Sequence, residues 1–223
     1  MDVVVVGAHG QIARELGRQL SARGDTVRGV IRNPGHATDL QDDGVTPFVV
    51  DLEDEFAQND LAQLMRGADA VVFAAGAGPG SGIARKESVD YAGAVHSAAA
   101  AARAEVRRFV LLSSMGTDDP PEGDDVFSVY LRAKARAEHD VRGSGLDVTI
   151  VRPGLLTEDA PTGRVRVGRT VERGEIPRDD VAAVIVAVLD DDNLIGRTFE
   201  VTNGPTLISD GVAGLADHNS TLV

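Results

Sequence analysis

The sequence predicts an α/β fold: one doubly wound parallel sheet with a small C-terminal extension. Three observations predict it. Short runs rich in β-branched residues alternate with longer helical patterns. The strand candidates are apolar throughout, as strands covered on both faces must be. The first of them, Val3–Val6, runs straight into Gly7.

The elements follow in order. After Val3–Val6, residues 11–23 carry Ile12, Leu16 and Leu20 at four-residue spacing, one face of a helix. The next strands are expected at Thr26–Ile31, Pro47–Val50, Ala70–Ala74, Phe109–Leu112, Val148–Val151 and Thr198–Val201. Helices are expected near 59–66, 84–104, 127–143 and 178–190, with right-handed crossovers. Two stretches interrupt the alternation. Residues 115–126 are acidic and turn-rich, and residues 153–177 contain Pro, Gly and Arg. Both read as loops. The tail after Gly204 is weakly patterned, and residues 218–223 read as frayed.

Length sets one expected domain over residues 1–223, with residues from about 153 onward forming the smaller part. The chain is 43% hydrophobic and 26% charged, ordinary for a globular protein. Its 22 basic and 35 acidic residues give a net charge of −13, which repels phosphate backbones and anionic lipid. Neither nucleic acid nor membrane is expected as a partner. No apolar run approaches the ~20 residues of a membrane span, and the N-terminus lacks the basic start of a signal peptide. A cytoplasmic monomer or homodimer is expected. The absence of cysteine excludes disulfides, thiolate metal sites and cysteine nucleophiles. The five histidines show no ligand-like spacing, so no metal site is expected. His96 reads as a packed or snorkelled helical residue. No G-x-S-x-G elbow is present for a hydrolase.

The segment Gly7-Ala8-His9-Gly10-Gln11-Ile12-Ala13 lies between the first strand and the first helix. Gly7 permits a tight turn, Gly10 lets backbone approach a pyrophosphate, and Ala13 lets the helix pack close to the strand. The helix N-terminus then favours a bound phosphate. The second strand ends in Ile31-Arg32-Asn33, with no acid to accept a ribose 2′-hydroxyl. Arg32 can grip a 2′-phosphate, or it is an exposed loop arginine. The first reading favours NADP(H) over NAD(H). Asp51, before Leu52, suits an adenine amino group or a helix N-cap. Ala74, Ala75 and Gly76 are small enough to lie against a ribose, or they make a turn.

Ser113 and Ser114 end the fifth strand, and Tyr130-Leu131-Arg132-Ala133-Lys134 follows. On a helix Tyr130 and Lys134 share a face. A lysine ammonium favours a nearby phenolate, which suits the tyrosine to proton transfer. A serine at the strand end can hold a substrate oxygen. Arg164, Arg166, Arg169 and Arg173 form either an exposed ribbon or an anionic-substrate contact.

With these residues in place, the chain resembles the short-chain dehydrogenase/reductase superfamily over roughly residues 2–204. It is most similar to the atypical branch of NmrA-like and flavin-reductase (biliverdin-reductase-B-like) proteins. The carriers are the glycine turn, Val30-Ile31-Arg32, Asp51-Leu52, Arg108–Ser114, Tyr130 with Lys134, Asp147–Gly154 and Ile176–Ala182. Where this chain has His9 the family usually has Thr, and the active serine often falls where Met115 stands. The resemblance implies a Rossmann-type sheet and an NADP(H)-dependent oxidoreductase acting on a small carbonyl, alcohol or conjugated substrate. Ser114, Tyr130 and Lys134 are the implied catalytic set, with Ser113 the alternative serine. Gly7, His9, Gly10, Gln11, Ile12, Arg32, Asp51, Leu52, Ala74, Ala75, Gly76, Ser113, Lys134 and Pro153 are the expected cofactor contacts. A non-catalytic NADP(H)-binding sensor or partner-binding protein of the NmrA-like type is the alternative. A sugar-nucleotide epimerase is disfavoured, because only about 70 residues follow the sixth strand.

Overall fold

The structure, a computed structural model, describes residues 1–78 and 80–217, the side chains of 216 and 217 excepted. The expected fraying of 218–223 lies outside the described residues. Strand β1 (Asp2–Val6) shows why its sequence is continuously apolar. Val3 and Val5 enter the core on one face of the sheet, while Val4 and Val6 enter the core on the other. All four are fully buried. Hydrophobic burial on both faces leaves no polar position along such a strand.

From there the chain alternates. Helix α1 (Gln11–Ala22), β2 (Thr26–Ile31), α2 (Ala37–Asp42), β3 (Thr46–Val49), α3 (Ala57–Met65) and β4 (Ala70–Phe73) come first. A helical segment follows in three parts: α4 (Ile83–Arg85), a π-helical stretch Lys86–Gly93, and α5 (Ala94–Arg103). Then come β5 (Arg108–Leu112), α6 (Val126–Arg142), β6 (Asp147–Pro153), β7 (Leu155–Thr157), β8 (Arg164–Gly168), β9 (Glu175–Pro177) and α7 (Arg178–Leu189). The described chain ends with β10 (Thr198–Asn203), β11 (Thr206–Leu207) and α8 (Ile208–Asp217). Nine strands form one sheet in the order β11-β8-β10-β6-β5-β4-β1-β2-β3, and β7 pairs with β9 separately. The core on one face contains residues of α1, α7 and α8, and that on the other residues of α3, α5 and α6.

Strand order reverses between β1 and β4. Their carboxyl ends flank the crevice where open α/β sheets bind ligands. Gly7 makes the turn out of β1 at φ +84°, and a Cβ there would lie 2.4 Å from the Ala75 Cα. The close approach of the β1 and β4 loops therefore requires glycine.

The C-terminal part departs from the expected loop and tail. Residues 153–177 contain β7, β8 and β9, and the tail contains β11 and α8. Arg164-Val165-Arg166-Val167 is a period-two strand pattern, with Val165 buried and both arginines exposed. The sheet is not wholly parallel, because β8 runs antiparallel to both β10 and β11. Helix α8 escapes a pattern reading because Gly211 and Gly214 weaken helix propensity. Gly211 nonetheless brings α8 close to β8: a Cβ there would lie 3.2 Å from both Val165 and Val167. His96 is solvent-facing rather than packed. The Arg178-Asp179-Asp180 segment opens α7, and the buried Asp180 carboxylate accepts N–H groups from Thr162 and Gly163, tying the turn before β8 to that helix.

Helix α6 is held by a buried ion pair. Glu138 receives the Arg152 guanidinium from β6, with Nη2 at 2.6 Å. The Ser113 hydroxyl donates to it at 2.5 Å and Thr117 at 2.8 Å. Burial opposes the charge on Arg152, but hydrogen bonds and attraction from Glu138 and Asp118 outweigh it and raise its pKa above the usual value. Breaking a buried pair on one side leaves the other charge stranded. Glu138→Gln is therefore expected to lower unfolding stability by about 3 kcal/mol. Urea denaturation is the check, and an unchanged midpoint and slope would contradict it.

Candidate active site

Three adjoining cavities run along the carboxyl ends of the strands. The first, about 420 Å3, lies between the β1 and β2 turns and the end of β3. The second, about 510 Å3, reaches from Gly10 and the 74–78 loop to Tyr130 and Lys134. The third, about 610 Å3, lies beyond Tyr130 against β7 and residues 173–175. Gly10, Ala74, Ala75, Gly76 and Gly78 line both the first and the second. Tyr130, Phe127, Pro153, Leu156 and Arg178 line both the second and the third.

The first cavity collects the expected cofactor contacts Gly7, His9, Gly10, Arg32, Asp51, Leu52, Ala74, Ala75 and Gly76. Gly10 is the residue before α1, and a Cβ there would press on the Gly7 carbonyl at 3.3 Å. Arg32 is half-exposed beside Glu53 at 3.5 Å, so an acid does reach it, contrary to the strand-end reading. That acid comes from the loop after β3, too far along the chain for local pattern to reveal. Glu53 also pairs with Arg85 at 3.0 Å. The Ser88 hydrogen bond, with the charges of Arg85 and Arg32, holds the Glu53 pKa below the usual carboxylate range. Asp51 is no helix N-cap: its carboxylate accepts from the Glu53 N–H within a turn, and α3 begins only at Ala57. His9 stacks on His36 with centroids 3.6 Å apart and bonds Asp39 through Nε2 at 2.8 Å.

The second cavity gathers Gln11, Ile12, Ser113, Tyr130, Lys134 and Pro153. Lys134 is buried, and its Nζ donates to the Leu112 carbonyl at 3.0 Å. It lies 6.0 Å from the Tyr130 ring centroid. The Tyr130 hydroxyl makes no hydrogen bond among the described residues. Ser113 faces this cavity but donates to Glu138. Ser114 lines the third cavity with Tyr130, and its hydroxyl donates to the neighbouring Met115 carbonyl at 3.2 Å. The two serines thus lie on different cavities.

Two further residues here are not singled out by the sequence patterns above. Asp90 is 1% exposed. One carboxylate oxygen accepts from the Ala77 N–H at 3.1 Å. The other has no hydrogen-bond partner and lies 3.8 Å from Lys134 Nζ. Lys86, also buried, donates to the Gly78 carbonyl at 3.2 Å and sits 5.5 Å from the Tyr130 ring centroid. Both lie on the π-helical stretch and line the cavity. Such bulges inside helices recur at functional sites. Their four-residue spacing was the available signal.

The site can hold a dinucleotide along the first two cavities. Glycine-lined backbone and a helix N-terminus face the crevice, and Asp90 leaves an unpartnered oxygen beside it. Comparison with known proteins agrees. A family model described as NAD(P)H-binding matches residues 7–192. An "uncharacterized sugar epimerase", YhfK of Bacillus subtilis, is 33% identical over 96% of this chain and 100% of its own. A putative NAD-dependent epimerase/dehydratase from Bacillus halodurans superposes with TM-score 0.89 at 38% identity, covering 96% of this chain and 100% of its own. ChuY, an anaerobillin reductase from Escherichia coli O157:H7, superposes with TM-score 0.77 at 26% identity, covering 92% and 100%.

A branched side chain at Gly10 would crowd the Gly7 carbonyl in the turn where the sequence leads one to expect the phosphate. Gly10→Val is expected to fold normally while NADPH affinity falls about tenfold or more, the worth of one charge-assisted hydrogen bond. Calorimetric titration beside a circular-dichroism melt is the check. Wild-type affinity in a folded variant would place the phosphate elsewhere.

Proposed function

The chain belongs to the NAD(P)H-binding family, within the atypical short-chain dehydrogenases/reductases, and from that premise we propose that it is an NADPH-dependent reductase of a small carbonyl or conjugated compound. One observation carries the reading. Tyr130, whose hydroxyl makes no hydrogen bond among the described residues, lines both the cavity containing Lys134 and the cavity beyond. A non-catalytic cofactor sensor has no need of such a placement.

The glycine turn would hold the pyrophosphate, Lys134 and Pro153 the nicotinamide riboside, and Arg32 the 2′-phosphate. When bound, the cofactor supplies hydride to the substrate carbon. The chain's own part is the proton: Tyr130 Oη donates it to the substrate oxygen as negative charge develops there. Lys86 and Lys134 place two ammonium groups 5.5 and 6.0 Å from the centre of that ring. Ser114 orients the substrate oxygen from the outer side. A small lid, built from β7, β9 and residues 168–175, suits a small substrate better than a sugar nucleotide.

NADPH is expected to bind more tightly than NADH, and Arg32→Ala to erase about tenfold of that preference. Parallel titrations with both cofactors test this. Equal wild-type affinities would overturn the NADP assignment.

Tyr130→Phe keeps the ring and removes the acid. Its kcat is expected to fall ~10²–10⁴-fold while NADPH affinity changes little. A panel of aldehydes, quinones and flavins, followed by NADPH absorbance, supplies the substrate. A Tyr130→Phe variant at the wild-type rate would remove the tyrosine from the mechanism.

A further inference from the structure

We propose that the substrate is an anion: an apolar, conjugated carbonyl compound bearing a carboxylate, which Arg173 holds in the outer cavity. This rests on the reductase reading and adds the substrate class.

The first ground is charge. The chain carries a net −13, yet the second and third cavities together are lined by Lys86, Lys134, Arg173 and Arg178 against only Asp90 and Glu175. The sign is locally inverted. A pocket of one sign inside a surface of the other concentrates ligands of opposite charge. The cofactor does not account for this inversion. Its phosphates belong to the glycine turn and to Arg32, and a reduced nicotinamide is neutral.

The second ground is the state of each cation. Lys134 faces Asp90, and Arg178 pairs with Glu158 at 2.6 Å. Lys86 is buried with a backbone carbonyl as partner. Arg173 makes no ion pair or hydrogen bond among the described residues, not even with Glu175 beside it. Its guanidinium reaches the turn at Gly116, where a Cβ would lie 3.7 Å from Nη2. It therefore spans from residues 168–175 to the loop that carries Ser114. The planar fork of an arginine matches a carboxylate in two parallel hydrogen bonds.

The third ground is the surrounding wall. Phe127 and Leu155 are 61% and 66% exposed, and they line this cavity with Met115 and Leu156. Exposed apolar side chains beside a free arginine fit an amphipathic anion, with its conjugated body on the apolar wall and its carbonyl at Tyr130.

The test uses 4-formylbenzoate and 4-formylbenzamide, which share a shape and differ in charge. Turnover with NADPH and calorimetric binding to the NADP⁺-loaded protein are measured for both. The wild type is expected to favour the acid about tenfold or more in kcat/KM and in affinity. Arg173→Gln is expected to bring that ratio close to one, chiefly through KM. Tyr130→Phe should slow both compounds equally and leave the ratio intact. Equal handling of acid and amide by the wild type overturns the proposal, as does an unchanged ratio in Arg173→Gln. Failure of binding by both compounds also overturns it. If the acid binds selectively through Arg173 but neither compound is reduced, the anion site stands and the reductase reading falls.

Discussion

The buried contact between Glu138 and Arg152 is what the arrangement at the inner cavity depends on. Tyr130, Lys134 and Glu138 follow at four-residue intervals along α6, so they share one helix face. Fixing Glu138 fixes the rotation of that face. Arg152 comes from the end of β6 and Ser113 from the end of β5, so one carboxylate joins a helix to two strands. The Lys134 ammonium then meets the Leu112 carbonyl, and the tyrosine projects one turn further into the crevice. A charge pair in the interior is a poor source of net stability, because desolvation offsets most of the attraction. Its value here is directional. Five converging hydrogen-bond donor groups leave the carboxylate one position, and the helix face follows it.

This constraint also explains the serine pair. A hydroxyl that donates to Glu138 cannot donate to a substrate without weakening the anchor. Ser113 therefore belongs to the scaffold, although it faces the cavity. Ser114 donates only to the adjacent backbone carbonyl. Exchanging that contact for a substrate oxygen disturbs nothing else. The preference for Ser114 over Ser113 thus rests on what each hydroxyl already does.

Much of the sheet was legible because burial on both faces writes itself into consecutive apolar residues. Val3–Val6 and Phe109–Leu112 admit few other readings. The glycine turn was legible because its positive φ and close approach leave little besides glycine at position 7. Legibility failed where pairing rather than composition decides. β8 reads as an arginine run until its valines are seen to face α8, and β11 has only two residues. Arg32 was visible, but Glu53, 21 residues further on, was not visible as its neighbour. Lys86 and Asp90 were hidden for a related reason. Two charged residues on a helical pattern look solvated, and only the packing of the π-helical stretch against α6 turns them inward.

That inward turn determines which group in the inner cavity remains free for chemistry. Ser113 is committed to Glu138, Lys134 to the Leu112 carbonyl, Lys86 to the Gly78 carbonyl, and Asp90 to the Ala77 N–H. Asp90 in turn tempers the Lys134 ammonium at 3.8 Å, and Glu158 pairs with Arg178, which leaves the Lys86 ammonium without a carboxylate partner among the described residues. A buried charge without a counter-charge is costly, so this residual charge favours any ligand that brings or develops negative charge there. Among these groups the Tyr130 hydroxyl is the neutral proton donor without a hydrogen bond among the described residues, and Tyr130 lines the cavities on both sides. Commitment of its neighbours, more than any property of the phenol itself, is the ground on which Tyr130 is proposed as the proton donor.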